Sequence, residues 1–166
     1  MKTAVLITIY LVAIIAANLL VSKFGVIAVL PVAFVFIGLD LTTRDYLHEI
    51  WRDNLWFKML TLIGVGSLLS WLINKDAGQV ALASFVAFLS ANIIDTIIYK
   101  LLYKYPFLVK INGSNVFGSF TDSFVFLSIA FGSFMPILIA EQFAVKVFGG
   151  FIWSLLLRRF KPCYST

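Results

Sequence analysis

Apolar and polar positions along the chain separate into long apolar runs divided by short polar clusters. The runs approach the roughly 20 residues an α-helix needs to cross a bilayer core of about 30 Å, so each predicts a spanning helix. Six are expected, at about 4–22, 26–44, 56–73, 80–101, 115–133 and 137–157. The first is read as a membrane helix rather than a signal peptide. Its run from Ala4 to Val21 exceeds a typical signal core, and further spans follow. Pro31 suits the first turn of a helix, so 26–30 is either a kinked start to the second helix or a separate piece, and the pattern leaves both open. The connections are a short link at Ser22–Gly25, a mixed-charge link at 45–55, a plain loop at Asn74–Gly78 and a turn at Pro136. A basic link with Lys100, Lys104, Pro106 and Lys110 passes through Asn112-Gly113-Ser114 into the fifth helix. Trp51 and Trp56 are placed as interface aromatics.

Composition turns this pattern into a class. Of 166 residues, 61% are hydrophobic and 13% charged, with a mean hydropathy of +1.01. A soluble domain of this size has too little interior to hide that much apolar surface. The expectation is an all-α, polytopic membrane protein, a single domain over 1–166 in contact with lipid. The net charge of +5 does not signal nucleic acid, because the cations cluster at the ends of apolar runs. Ten of the 13 fall with the N-terminus, the second and fourth links and the tail. Lys23 and Lys75 lie on the other side, and Lys146 is inside a helix. The excess predicts that both termini are cytoplasmic.

Several chemistries drop out. The one cysteine, Cys163, is in the polar tail, so no intramolecular disulfide forms. No Cys/His spacing suggests a metal site, and there is no P-loop or Gly-x-Ser-x-Gly. Gly64-Val65-Gly66 is followed by Ser67, not by the aspartate of an intramembrane aspartyl protease. His48, beside Glu49 in a link, reads as solvated surface. Neither a cofactor nor an enzymatic activity is expected.

What remains is a set of ionisable groups inside apolar helices, and such groups are functional-site candidates by default. Asn115, Gly118, Ser119 and Asp122 fall at i, i+3, i+4 and i+7, one stripe of the fifth helix. Asn92, Asp95 and Tyr99 form a similar stripe on the fourth. At a rise of about 1.5 Å per residue, Asp40, Asp95 and Asp122 reach a similar depth in the cytoplasmic half, with Lys146 nearer the midplane. Three carboxylates and one amine thus converge from four helices. Mutual pairing as packing glue is the plainer reading, and Asp40 with Arg44 at i, i+4 is its best case. Three carboxylates for one lysine nevertheless leave charge for a substrate, a proton or an ion to satisfy. Most of the 17 phenylalanines face lipid or pack, while one or two near Asp122 are placed to stack on a flat ligand.

These residues also carry a resemblance. The stretch from Pro31 to Arg44, with Phe36 and Asp40-Leu41-Thr42-Thr43-Arg44, resembles the second-helix signature of the YhhQ family of queuosine precursor transporters, also grouped as vitamin uptake transporters. Asn92-Ile93-Ile94-Asp95 is similar to that family's fourth-helix Q-x-x-D, with asparagine in place of glutamine. Phe117-Gly118-Ser119-Phe120-Thr121-Asp122-Ser123 through Ile129-Ala130-Phe131 resembles its fifth-helix motif, with Ser119 where an amide is common. Lys146 stands where the sixth helix carries a lysine, and Asn18 matches a first-helix asparagine. The resemblance implies import of a 7-deazaguanine across a bacterial inner membrane. It also implies a substrate site drawn from Asn18, Asp40, Arg44, Asn92, Asp95, Asn115, Ser119, Asp122 and Lys146. The alternative is a substrate-binding membrane subunit for another small vitamin-like compound, energised by a partner.

The orientation is tested by single introduced cysteines after removal of Cys163. Impermeant reagent applied outside is expected to label position 76 and not position 104. The reverse pattern contradicts the cation count.

Overall fold

The computed structural model describes residues 3–37, 39, 43, 47, 55–105 and 107–158. It is all-α. Helix α1 spans Thr3–Phe24, and α2 spans Val26–Val32 and passes into a π turn at Ala33–Ile37. Helix α3 is Leu55–Ile73, α4 is Gly78–Leu101, α5 is Phe107–Phe131 and α6 is Pro136–Arg158. Asp40, Arg44, His48, Trp51 and Cys163 lie outside the described residues, as do the side chains of Trp56, Tyr99 and Asn115.

Most helix ends lie within two residues of the expected positions, and four differences have physical reasons. Pro31 lies inside α2, and the helix continues through it instead of restarting. A proline lacks the N–H that the helical ladder needs, and the wider i→i+5 turn follows directly, at Ala33. The link between α1 and α2 shrinks to Gly25. There a φ of 63° turns the chain after its N–H caps the Val21 carbonyl at 2.8 Å. Helix α5 begins at Phe107, directly after Pro106, about two turns before the expected start at Asn115. Lys110 and Asn112-Gly113-Ser114 are therefore helical and not a link. The expected plain loop after α3 is a 3-10 turn at Lys75–Ala77, stabilised by the Asn74 side chain accepting from the Asp76 N–H at 3.0 Å.

Helix α1 shows how the sequence selects its inward face. Its buried residues Leu6, Tyr10, Ala13, Ile14, Ala17, Asn18 and Val21 follow the i, i+3, i+4, i+7 pattern. The other faces are apolar too, with Val5 and Val12 exposed. Alongside its apolar cores, the bundle buries several polar side chains and exposes many large apolar ones. Asn18, Ser67, Ser70, Ser123, Gln142 and Lys146 are buried, whereas Ile27, Leu72, Phe120, Ile137 and Phe148 are exposed. Apolar side chains outside and polar ones inside suit a lipid surround. By length and composition, Thr3–Phe24 and Lys75–Ile98 can cross a membrane. The apolar stretches Val26–Ile37, Phe57–Ile73 and Val116–Phe131 are shorter.

Small residues set the packing. Helices α4 and α5 form the closest pair. A Cβ added at Gly118 of α5 would stand 3.5 Å from both the Ala91 carbonyl oxygen and the Asp95 Cβ of α4. Without a hydrophobic force to drive helices together in lipid, such close approach maximises dispersion contact. The larger core joins Ala17 and Val21 of α1, Val29 and Val32 of α2, Ala83 and Ala87 of α4, Leu127 of α5 and Ile139 of α6. A second core joins Leu6, Tyr10 and Ile14 of α1 to Met59 and Ile63 of α3. At one end of the α4–α5 pair, Gln79 donates to the Ile129 carbonyl at 3.0 Å.

Two glycine substitutions test this packing. At Gly64 an added Cβ meets only the Phe85 ring at 3.7 Å, an ordinary contact, so Gly64→Ala keeps the helix-propensity gain of about 1 kcal/mol. At Gly149 it would meet the Phe34 carbonyl oxygen at 3.0 Å and Cα at 3.4 Å, both of them backbone atoms that do not swing aside. Overpacking costs about 1–3 kcal/mol, so Gly149→Ala is expected to melt lower than the parent and Gly64→Ala no lower. Thermal unfolding in detergent reads both. Equal melting would contradict the tight seam between α6 and the π turn.

Candidate functional site

A cavity of about 90 Å3 lies between α1, α2 with its π turn, α3, α4, α5 and α6. A single water needs roughly 10–15 Å3 on this measure, so the space takes several waters or a small ring system. Six of the residues expected at a substrate site line it: Asn18, Asn92, Asp95, Ser119, Asp122 and Lys146. Gly118 lines it as well, so three of the four residues of the α5 stripe face one space. Asp40 and Arg44 are outside the described residues, and so is the side chain of Asn115.

The charged groups are not equivalent. Lys146 of α6 donates from Nζ to Asp122 Oδ2 of α5. The lysine side chain is 3% exposed and the aspartate 27%, so the pair sits with its carboxylate toward the opening. An ammonium so deeply buried requires an anionic partner, and Asp122 supplies it. An ammonium also has three donors, which leaves two beyond that bond. Asp95 is arranged differently. Its Oδ1 is buried and has no hydrogen-bond partner among the described residues. The helix seam explains the position, because Gly118 brings the α5 backbone against the Asp95 side chain.

The neutral polar residues divide in the same way. Asn18 is committed to the protein at both ends of its amide. Its Nδ2 donates to Ser70 Oγ at 3.2 Å, and its Oδ1 accepts from Ser84 Oγ at 2.6 Å. Ser70 passes its own proton to the Gly66 carbonyl at 2.7 Å. This chain of bonds ties α1 to α3 and α4, a structural role for Asn18 alongside its place in the wall. Asn92 donates one amide N–H to the Phe88 carbonyl one turn back, at 2.8 Å, which leaves its second N–H and its carbonyl oxygen to offer. Two phenylalanines, Phe88 and Phe126, supply aromatic wall.

Sequence reasoning missed Ser84 and Gln142. Gln142 is buried in α6 with its Oε1 unpartnered among the described residues. The signal was present in its spacing, four residues before Lys146 and so on the same face. Among the described residues no three His, Cys, Asp or Glu side chains come together to hold a metal.

Residues 3–158 match the family described as "Putative vitamin uptake transporter". A Haemophilus influenzae protein named "Probable queuosine precursor transporter" is 29% identical over 150 residues, covering 80% of this chain and 64% of that protein. The chain therefore spans about 64% of the length of that curated relative. No solved structure matches.

The ion pair makes a stability prediction. Asp122→Asn strands the Lys146 ammonium in the apolar interior, and breaking a buried pair from one side costs on the order of 3 kcal/mol. Asp122→Asn combined with Lys146→Met removes both charges and is expected to recover most of that loss. Melting of the two variants and the parent in detergent completes the comparison. A double variant as unstable as Asp122→Asn alone would contradict the pairing.

Proposed function

This chain belongs to the vitamin uptake transporter family, and on that premise we propose that it imports a queuosine precursor, a 7-deazaguanine such as the cyano form, across a bacterial inner membrane. A transporter of that kind is a carrier and not an enzyme. The reading takes the six helices as spans with both termini cytoplasmic, supported by the exposed apolar and buried polar side chains.

The observation that carries it is the unpartnered, buried Asp95 Oδ1 in the wall of an aromatic-flanked cavity. Leaving a carboxylate oxygen without a donor is unfavourable unless something arrives to provide one. A guanine-like base presents two adjacent N–H donors, at N1 and the 2-amino group, which a carboxylate accepts as a pair. Such charge-assisted bonds are roughly twice as strong as neutral ones. The flat ring stacks on Phe88 or Phe126, and the remaining Lys146 donors meet the ring carbonyl. Asp122, at the centre of the α5 stripe, is the other carboxylate in the cavity wall. Its bond to Lys146 favours Asp95 for the N–H edge and gives Asp122 the task of holding the lysine.

The test is cellular. Cells without their own precursor import are expected to regain queuosine in tRNA when this chain is expressed and 7-cyano-7-deazaguanine supplied. Asp95→Asn swaps an acceptor for a donor facing donors, a mismatch of about 2–4 kcal/mol or roughly 30- to 1000-fold in affinity. Thr96→Val is the control, since the Thr96 hydroxyl bonds its own helix at the Asn92 carbonyl. Unchanged tRNA despite confirmed membrane insertion contradicts the proposal. Uptake of an unrelated vitamin instead would favour a substrate-binding subunit for that compound.

A further inference from the structure

Three primary amides line the cavity, and the protein itself uses two of them. Asn18 is bonded at both ends, to Ser70 and Ser84, and Asn92 donates back to its own helix. Gln142 is the third. It is 3% exposed, and its Oε1 is buried without a partner among the described residues. Unlike an apolar side chain of the same length, a glutamine there brings a polar group that the protein leaves unsatisfied. Packing alone gives no reason for it.

Its neighbours narrow what it serves. Gln142 sits one turn before Lys146 on α6, and both line the cavity that Asp95 of α4 also lines. A primary amide carries a donor and an acceptor side by side, and its terminal torsion is soft enough to turn either toward the cavity. The matching ligand feature is an adjacent acceptor and donor on one edge of a ring. A 7-deazaguanine base has such an edge at N3 and N9–H, next to the N1–H and 2-amino edge assigned to Asp95.

We propose that Gln142 is a specificity-determining residue that reads the N3 and N9–H edge of the substrate, so that the site selects a free base over its 9-substituted forms. The inference rests on the import reading and adds a residue and a selection rule to it. A substituent at N9 removes the donor and places bulk where the amide must approach. Nucleosides of the same base are excluded for that reason, and not by charge.

The experiment uses the full chain purified in detergent, with 7-cyano-7-deazaguanine and its 9-methyl derivative as probes. The variant is Gln142→Met, which keeps length and removes the amide. Without substrate it is expected to melt no lower than the parent, because the buried Oε1 it removes has no hydrogen-bond partner among the described residues. The parent is expected to bind the free base well and the 9-methyl form poorly. In Gln142→Met, free-base affinity falls about 10- to 100-fold, equivalent to two lost hydrogen bonds, and the preference over the 9-methyl form disappears. A variant that keeps both affinity and preference overturns the inference while leaving the import reading standing. A variant that melts lower and loses affinity for both probes equally assigns Gln142 to packing and also overturns it. A parent that binds neither probe overturns the import reading and this inference with it.

Discussion

A lysine ammonium inside an apolar helix bundle has to be met by a carboxylate, and much of this protein is arranged to satisfy that demand. Lys146 stands on α6 and Asp122 on α5, so their bond requires those two helices to meet at one register. Helix α5 is positioned on its other side by α4, where Gly118 lies against Ala91 and Asp95. The charge pair and the glycine seam together place two carboxylates and one amine around one cavity. Removing either would loosen the other, because both act through the position of α5.

Around that centre, polar groups fall into two populations. Asn18, Ser70, Ser84 and the Asp122–Lys146 pair are bonded within the protein and hold helices together. Asp95 Oδ1 and Gln142 Oε1 in the cavity wall are buried and unpartnered among the described residues, as are the hydroxyls of Ser22, Ser67 and Ser123 away from it. In an interior of low dielectric the first population rigidifies a structure, and the second is unfavourable until a ligand completes it. On the proposed import reading, that division within the cavity wall tells residues that build the space from residues that address its contents. It also sets the two aspartates apart, one paired with Lys146 and one with an unpartnered oxygen.

The main architecture was legible because apolar runs near bilayer length leave few alternatives to helices. The starts of α1, α3 and α6 could be read to within two residues for that reason. The start of α5 could not. Lys110 and Asn112-Gly113-Ser114 have the composition of a loop, yet polar residues at a helix end are compatible with the water-facing end of a span. Pro106 was the true punctuation. The stripe of Gly118, Ser119 and Asp122 was readable from spacing alone, and the cavity gathers it. The pairing of Lys146 with Asp122 and not with Asp95 was not, since it depends on which helix Lys146 faces. The Asn18 bonds to Ser70 and Ser84 join residues 52 and 66 positions apart, which spacing within one helix cannot reveal. Gln142 shares a face with Lys146 by spacing, but its buried and unpartnered Oε1 shows only in the structure.

The central claim is that one chain both holds and moves a flat, donor-rich base through this cavity. Purified protein reconstituted into liposomes, given radiolabelled 7-cyano-7-deazaguanine outside, tests it without help from cellular partners or metabolism. The account predicts label inside the vesicles at a rate that saturates with concentration and falls when unlabelled base competes. Vesicles that bind the label without internalising it, or that take it up no faster than protein-free liposomes, would contradict it.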